Sequence, residues 1–172
     1  MGFCFQCGSE LTRSWLENRQ REVCLHCGWV HYPQLKVSAA ALVVEEHRLL
    51  LVRRAISPWR GCWYLPAGYV EADEDPARAA ERELFEETGL IGRAGALHGA
   101  YFFEDDPRGK GLLLVYHLHL TGGSLNLSNE ADQADFFDVN RLPSPLTGAG
   151  HDRAIAEWFV VMKKNGISHE WN

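Results

Sequence analysis

Apolar residues recur along this chain with two different periods. Residues 37–44 form an unbroken run of small and β-branched apolar side chains, the pattern of a buried strand. Glu45, Glu46, His47 and Arg48 interrupt it as a turn, and residues 49–52 supply a partner strand. A helical period takes over after a Gly- and Pro-rich passage. Asp75 is placed to cap a helix that has Pro76 at its first position, Ala80 and Leu84 as its apolar stripe, and Gly89 as its stop. Residues 101–103 and 112–120 read as two more strands on either side of the turn-rich segment 104–111. The latter half of the second alternates apolar residues with His117 and His119, read as exposed strand positions. Ile155, Trp158, Phe159 and Met162 then mark an amphipathic helix from 151 to about 164. Strands interleaved with one central and one terminal helix predict an α/β fold, a mixed sheet with helices on both faces.

Composition divides this picture into two parts. The 172 residues, 46% of them hydrophobic, suit one medium domain or one domain plus a small appendage. Four of the five cysteines fall in two C-x-x-C knuckles, Cys4/Cys7 and Cys24/Cys27, sixteen residues apart and each followed by a glycine. Four thiolates at that spacing make a closed tetrahedral Zn²⁺ site, and the match between the knuckles argues against redox or simply buried cysteines. His26 lies inside the second knuckle, but four cysteines already satisfy zinc. The expected division is therefore a zinc ribbon over residues 1–34 and a second domain over 35–172. Cys62, beside Trp63, reads as a packing residue. A formal net charge of −6 excludes a general basic patch, so no nucleic-acid partner is expected. Without a long apolar run or a basic-then-apolar leader, no membrane association is expected either, and a cytoplasmic location is.

One cluster does not fit a helix seeking stability. Glu83, Glu86 and Glu87 fall at i, i+3 and i+4 near the helix C-terminus, so three carboxylates share one side where the macrodipole disfavours them. A charge run is ordinarily a solvated face, yet that reading leaves the placement unexplained. Hard oxygen ligands on one rigid face are what Mg²⁺ or Mn²⁺ prefers. Arg53 and Arg54, at the end of a strand, can grip phosphate through their planar forks, although a pair of surface arginines would look the same.

Gly68, Glu74, Arg82, Glu83, Leu84, Glu86, Glu87, Gly89 and Leu90 fill nine defined positions over 23 residues, and the stretch resembles the signature of the Nudix hydrolases. The segment Gly61–Ala67 resembles the strand and turn leading into that box, and Glu130 to Pro143 resembles a late segment of the family, an acidic loop before an aromatic strand. The resemblance implies an α/β/α Nudix sandwich over roughly residues 36–165. With the ribbon in front, the chain resembles the zinc-ribbon Nudix pyrophosphatases that act on ADP-ribose, FAD or NADH. It implies hydrolysis of a nucleoside diphosphate derivative to a nucleoside monophosphate and a phosphorylated remainder. Glu83, Glu86 and Glu87 would hold Mg²⁺ or Mn²⁺, joined by a backbone carbonyl at the turn, by analogy that of Ala67. Glu83 is favoured as base with Glu130 as rival, and Arg82 with Glu74 would be a scaffold.

For the substrate, Arg53 or Arg54 would clamp the diphosphate, and Tyr101, with Tyr69, Phe102 and Phe103, offers an aromatic face for a base or flavin. NADH pyrophosphatases carry a Ser-Gln-Pro-Trp-Pro-Phe-Pro run after the box. This chain has Ala100-Tyr101-Phe102-Phe103-Glu104, so NADH and capped RNA rank below ADP-ribose and FAD. Pro107 adds weak support for ADP-ribose. The alternatives are an NADH or dinucleotide pyrophosphatase and a non-enzymatic sensor or adaptor of the same fold. A homodimer remains open.

Overall fold

The computed structural model describes residues 2–164, and the chain divides into two compact units, Met1–Leu35 and Lys36–Asn172. The expected second domain reaches residue 172, and its last eight positions, like Met1, lie outside the described residues.

In the N-terminal unit, β1 (Leu11–Leu16), β2 (Arg19–Cys24) and β3 (Val30–His31) form an antiparallel sheet in that order. The two knuckles are built alike. Gly8 N–H donates to the Cys4 carbonyl and Gly28 N–H to the Cys24 carbonyl, each at 2.9 Å, with φ of 74° and 77°. That left-handed turn is the reason a glycine follows each knuckle. Among the described residues of this unit, the buried apolar ones are Cys4, Leu11 and Cys24, with Trp29 against them. So small a core cannot offset the conformational entropy of folding by itself.

The second unit is a seven-stranded mixed sheet. Its strands are β4 (Lys36–Glu45), β5 (Arg48–Arg54), β6 (Trp63–Tyr64), β7 (Ala67–Tyr69), β8 (Leu90–Phe103), β9 (Gly111–Gly123) and β10 (Ala131–Asp138). The main order is β10-β5-β4-β9-β8, with β4 and β9 parallel and the other pairs antiparallel. Strands β4 and β5 pair only next to their turn, at Val44↔Leu49 and Glu45↔Arg48. Beyond it they part. Strand β7 takes over the β4 edge at Ser38–Ala40, and β6 takes the β5 edge at Val52 and Arg53. The segment 63–69 thus fills the opening, held also by Ala41 N–H to the Pro66 carbonyl at 2.9 Å.

Helix α1 (Pro76–Thr88) has the caps its sequence calls for. Asp75 accepts from Ala77 N–H at 2.9 Å, and Gly89 closes the helix in the left-handed conformation. The alternating side chains of β4 divide the core between the two faces of the sheet. Ala39, Ala41 and Val43 pack with Ala79, Ala80 and Leu84 of α1. Ala40 and Leu42 pack with Ile155, Trp158 and Met162 of α2 (His151–Lys164). Small residues on both sides bring α1 close to the sheet, and Leu84 is fully buried. Truncating it to alanine removes about 2–5 kcal/mol.

Strand β8 differs most from expectation. It begins at Leu90, not near 101, and runs for 14 residues. Three register shifts between Ile91 and Gly99 break its alternation, which hides a strand from a period-two reading. His117 is not simply exposed either. It is part-buried, its Nε2 is 3.2 Å from His98 Nδ1, and burial pushes its pKa down to about 4. Among the described residues, no helix is long and apolar enough to cross a membrane.

Candidate active site

The last two turns of α1 point their carboxylates toward the parted strands. Glu87 is buried, and the segment filling the gap supplies its partners. Tyr64 Oη donates to Glu87 Oε1 at 2.7 Å, and Ala67 N–H donates to Oε2 at 3.2 Å. Burial dominates its electrostatics and pushes its pKa up to about 8. The Tyr64 and Ala67 hydrogen bonds oppose that shift, while the charges of Glu83 and Glu130 add to it. Burial also raises the Glu83 carboxyl, against the hydrogen bond and charge of Arg82. Glu83 lies directly against the backbone of Gly68, since a Cβ there would come within 2.1 Å of its Oε1. Only glycine leaves that space. Glu86 is the exposed member of the three.

Arg82 ties this face to the turn that precedes the helix. Its Nε and Nη2 donate to the two Glu74 oxygens at 2.9 Å each, and Nη2 also reaches the Tyr69 carbonyl at 3.0 Å. Its Nη1 donates to Glu83 at 2.6 Å and Glu86 at 2.9 Å. The Arg82 hydrogen bonds hold the Glu74 carboxyl below the usual carboxylate range. One guanidinium thus fixes the loop and partly neutralises two of the three helix acids.

These groups border a cavity of about 430 Å³, within the size range of small-molecule sites. Ala67, Glu83, Glu86, Glu130 and Arg54, all singled out in the sequence, line it, and Glu87 sits just behind through its bonds to Tyr64 and Ala67. Three expected residues lie elsewhere, the exposed Phe102 among them. Arg53 is turned to β10, where its fork meets Asp132 at 2.7 and 3.1 Å. Successive residues of a strand face opposite ways, so only Arg54 of the pair reaches the cavity. There its Nε donates to the Pro58 carbonyl at 2.8 Å. Tyr101 is a core residue whose hydroxyl donates to Glu157 at 2.7 Å, while Phe103, two positions on, lines the cavity.

Sequence reasoning missed Tyr64, Asp106, Arg108, Thr147 and His151. All but Asp106 and Tyr64 carry no local sign of their role, because loops distant in sequence bring them together. Tyr64 could have been found from the alternation of the 63–67 segment, and Asp106 from its spacing to Arg108 in a turn.

In the N-terminal unit, Cys4 Sγ lies 3.6 Å from Cys27 Sγ, and Cys7 Sγ lies 3.4 Å from Cys24 Sγ. The four sulfur atoms all fall within 4.8 Å of one another, a donor set that fits one tetrahedral ion.

Comparison with known proteins finds a family match for each of the two units. Residues 34–159 match the NUDIX domain family, and residues 2–33 match the Nudix N-terminal family, a zinc ribbon. An ADP-ribose pyrophosphatase of Methanocaldococcus jannaschii is 37% identical over 131 residues, covering 76% of this chain and 75% of the relative. An NAD-capped RNA hydrolase NudC of Haemophilus influenzae is 36% identical over 90 residues, which is 51% of this chain and 33% of that protein. This chain therefore spans only about a third of that relative. A NUDIX hydrolase from Nitrosomonas europaea superposes with a TM-score of 0.83 at 26% identity, over 96% of this chain and 94% of the other. With the box carboxylates gathered at a cavity and a four-cysteine ribbon in front, the chain belongs to the Nudix hydrolases, as an enzyme with a zinc-ribbon N-terminal unit.

Proposed function

We propose that this enzyme hydrolyses the diphosphate of a nucleoside diphosphate derivative, with ADP-ribose ahead of FAD, in a Mg²⁺- or Mn²⁺-dependent reaction. The observation that carries this reading is the crowding of Glu83, on the wall of a ligand-sized cavity, with the buried Glu87 just behind it, where burial raises both carboxyls. Protein groups alone leave that charge under-compensated, as expected of a site shaped for a divalent cation. Glu83, Glu86 and Glu87, with the Ala67 carbonyl, are the residues that would hold it. The ion supplies charge neutralisation for the diphosphate and acidification of water.

The chain's own residues do the rest. Tyr64 and the Ala67 amide orient Glu87, and Arg82 holds Glu83 and Glu86 in place. Glu83 Oε accepts the proton of the attacking water, with Glu130 as the rival base on the cavity wall. Arg54 steadies the diphosphate. The four cysteines would hold a structural Zn²⁺, and four protein ligands would leave it no open position for chemistry. The ADP-ribose preference draws on the pyrophosphatase relative, 75% of which is matched by this chain, and on the missing Ser-Gln-Pro-Trp run.

Steady-state hydrolysis of ADP-ribose, FAD, NADH and dATP, with and without Mg²⁺ or Mn²⁺, tests this. The expected result is metal-dependent release of AMP with the highest kcat/KM on ADP-ribose. A preference for NADH or dATP overturns the ranking, and full activity without either ion overturns the site.

A further inference from the structure

A part of the cavity wall that the hydrolytic chemistry does not use is built with unusual care. Asp106, in the loop between β8 and β9, is a buried carboxylate, and it clasps Arg108. Arg108 Nε lies 3.0 and 3.2 Å from its two oxygens, Nη2 lies 2.7 Å away, and the Arg108 amide donates at 2.7 Å. These bonds hold the Asp106 carboxyl below its usual range. The Arg108 side chain is 41% exposed, and its guanidinium lies 5.7 Å from the centre of the Tyr69 ring at the cavity wall. The neighbouring Asp105 fastens this loop to the one before α2 by accepting the Ala149 amide at 3.1 Å. Two residues of that second loop and helix start, Thr147 and His151, also line the cavity. Thr147 Oγ1 and His151 Nδ1 are buried polar atoms with no hydrogen-bond partner. Thr147 is 3% exposed and His151 8%.

We propose that Arg108, Thr147 and His151 form the subsite for the sugar-phosphate half of the substrate, and that the group it takes is a pentose phosphate. This rests on the pyrophosphohydrolase reading and specifies its substrate. Arg108 is held in one orientation by Asp106, so its remaining donors meet a phosphate with little ordering cost. Leaving buried polar atoms unpaired costs a protein stability, and the cost is recovered when a ligand pairs them. A threonine hydroxyl and a neutral imidazole each offer both a donor and an acceptor, which is the pattern of a sugar hydroxyl. The Tyr69 ring beside Arg108 is not free to stack on a flat base, since Arg108 and Lys36 already lie over it, whereas Trp59 and Phe103 elsewhere on the cavity wall remain for the other half of the substrate. Asp106 touches no ligand in this arrangement. It is a positioning residue that acts through Arg108.

The test is calorimetric titration of the full chain with ribose 5-phosphate in the absence of divalent ions, with AMP as the competing half. Saturable binding of ribose 5-phosphate is expected. Arg108→Ala and Thr147→Val should each weaken it roughly tenfold, and Thr147→Val should leave AMP binding unchanged. Asp106→Asn should weaken it as well, and the double variant D106N/R108A should bind no worse than R108A alone. Circular dichroism establishes that each variant folds. Should Thr147→Val not fold, Arg108→Lys at the exposed head group carries the same comparison. No saturable binding, equal binding by wild type and variants, or loss of AMP instead of ribose 5-phosphate overturns the subsite. The titration needs no turnover, so absence of ADP-ribose hydrolysis would overturn the proposed reaction and leave this result standing.

Discussion

Tyr64 and Glu87 are joined by a 2.7 Å hydrogen bond between a phenol from the strand gap and the most deeply buried acid of the Nudix helix. The contact couples the filler segment to the carboxylate face of the helix, and burial beside that carboxylate raises the Tyr64 hydroxyl, keeping it a donor. Tyr64→Phe should therefore lower the stability of the metal-free protein by about 1–3 kcal/mol, the cost of removing a donor from a buried carboxylate. Urea denaturation at pH 8 reads this directly. An unchanged midpoint would mean that Glu87 is satisfied without the phenol.

Glu83→Gln and Glu87→Gln should each reduce kcat/KM by on the order of 10²-fold or more, because charge stabilisation worth several kcal/mol disappears. Both should fold, and Glu87→Gln should not be less stable than the parent, since a neutral amide relieves a buried like-charge contact. Kinetics paired with thermal melts separate the two effects. Loss of the native circular dichroism spectrum would reassign these acids to structure.

Gly68→Ala should act on the same site by a different route. The three atoms nearest to a methyl group there all belong to the Glu83 carboxylate, and a side-chain tip can swing away at small cost. The fold should survive with a Tm within a few degrees of wild type, roughly a 1 kcal/mol effect, while turnover falls as steeply as in Glu83→Gln. Wild-type activity in this variant would show that Glu83 works from another position.

Cys4→Ser or Cys27→Ser should release zinc and unfold the N-terminal unit, whose few buried side chains cannot hold it without the ion. Zinc content by atomic absorption should fall from one per chain to well below it. Retention of one zinc per chain in both variants would refute the four-cysteine site.

His151 gives the chain a pH dependence with a defined sign. Burial pushes its pKa down to about 3, and Arg54 and Arg108 push the same way, while Asp106 and Asp105 oppose. The unfolded chain takes up that proton near the ordinary histidine value of about 6.5. Between those values the unfolded state binds more protons, so stability falls as pH drops below about 6.5, by at most about 1.4 kcal/mol per unit. His117 contributes in the same direction. His151→Asn should flatten the decline between pH 6.5 and 5 without abolishing it, measured by denaturant unfolding at several pH values. Parallel profiles for the two proteins would show that the imidazole is already charged when folded.

Local signals made much of this molecule legible in advance. Asp75, Pro76 and Gly89 sit at helix boundaries for reasons confined to a few neighbouring residues, and the structure places all three in those roles. The cysteine knuckles are likewise a matter of short spacing. The first eleven residues of β8 were hidden because glycines and bulges erase the alternation that marks a strand. Arg53 and Arg54 could not be told apart because β10, remote in sequence, takes one of them through Asp132. Asp106, Thr147 and His151 meet only after the sheet has closed, and no window of sequence contains them together.

The parting of β4 and β5 leaves the two halves of the cavity answerable to different parts of the chain. The carboxylates belong to a helix whose caps, glycine and packing leave little freedom to change. The wall formed by Arg108, Thr147 and His151 belongs to loops and a helix start that hang on the opposite core. Substitutions there can accumulate without disturbing the acids, so a lineage of such proteins can trade one substrate for another while inheriting the same hydrolytic apparatus intact.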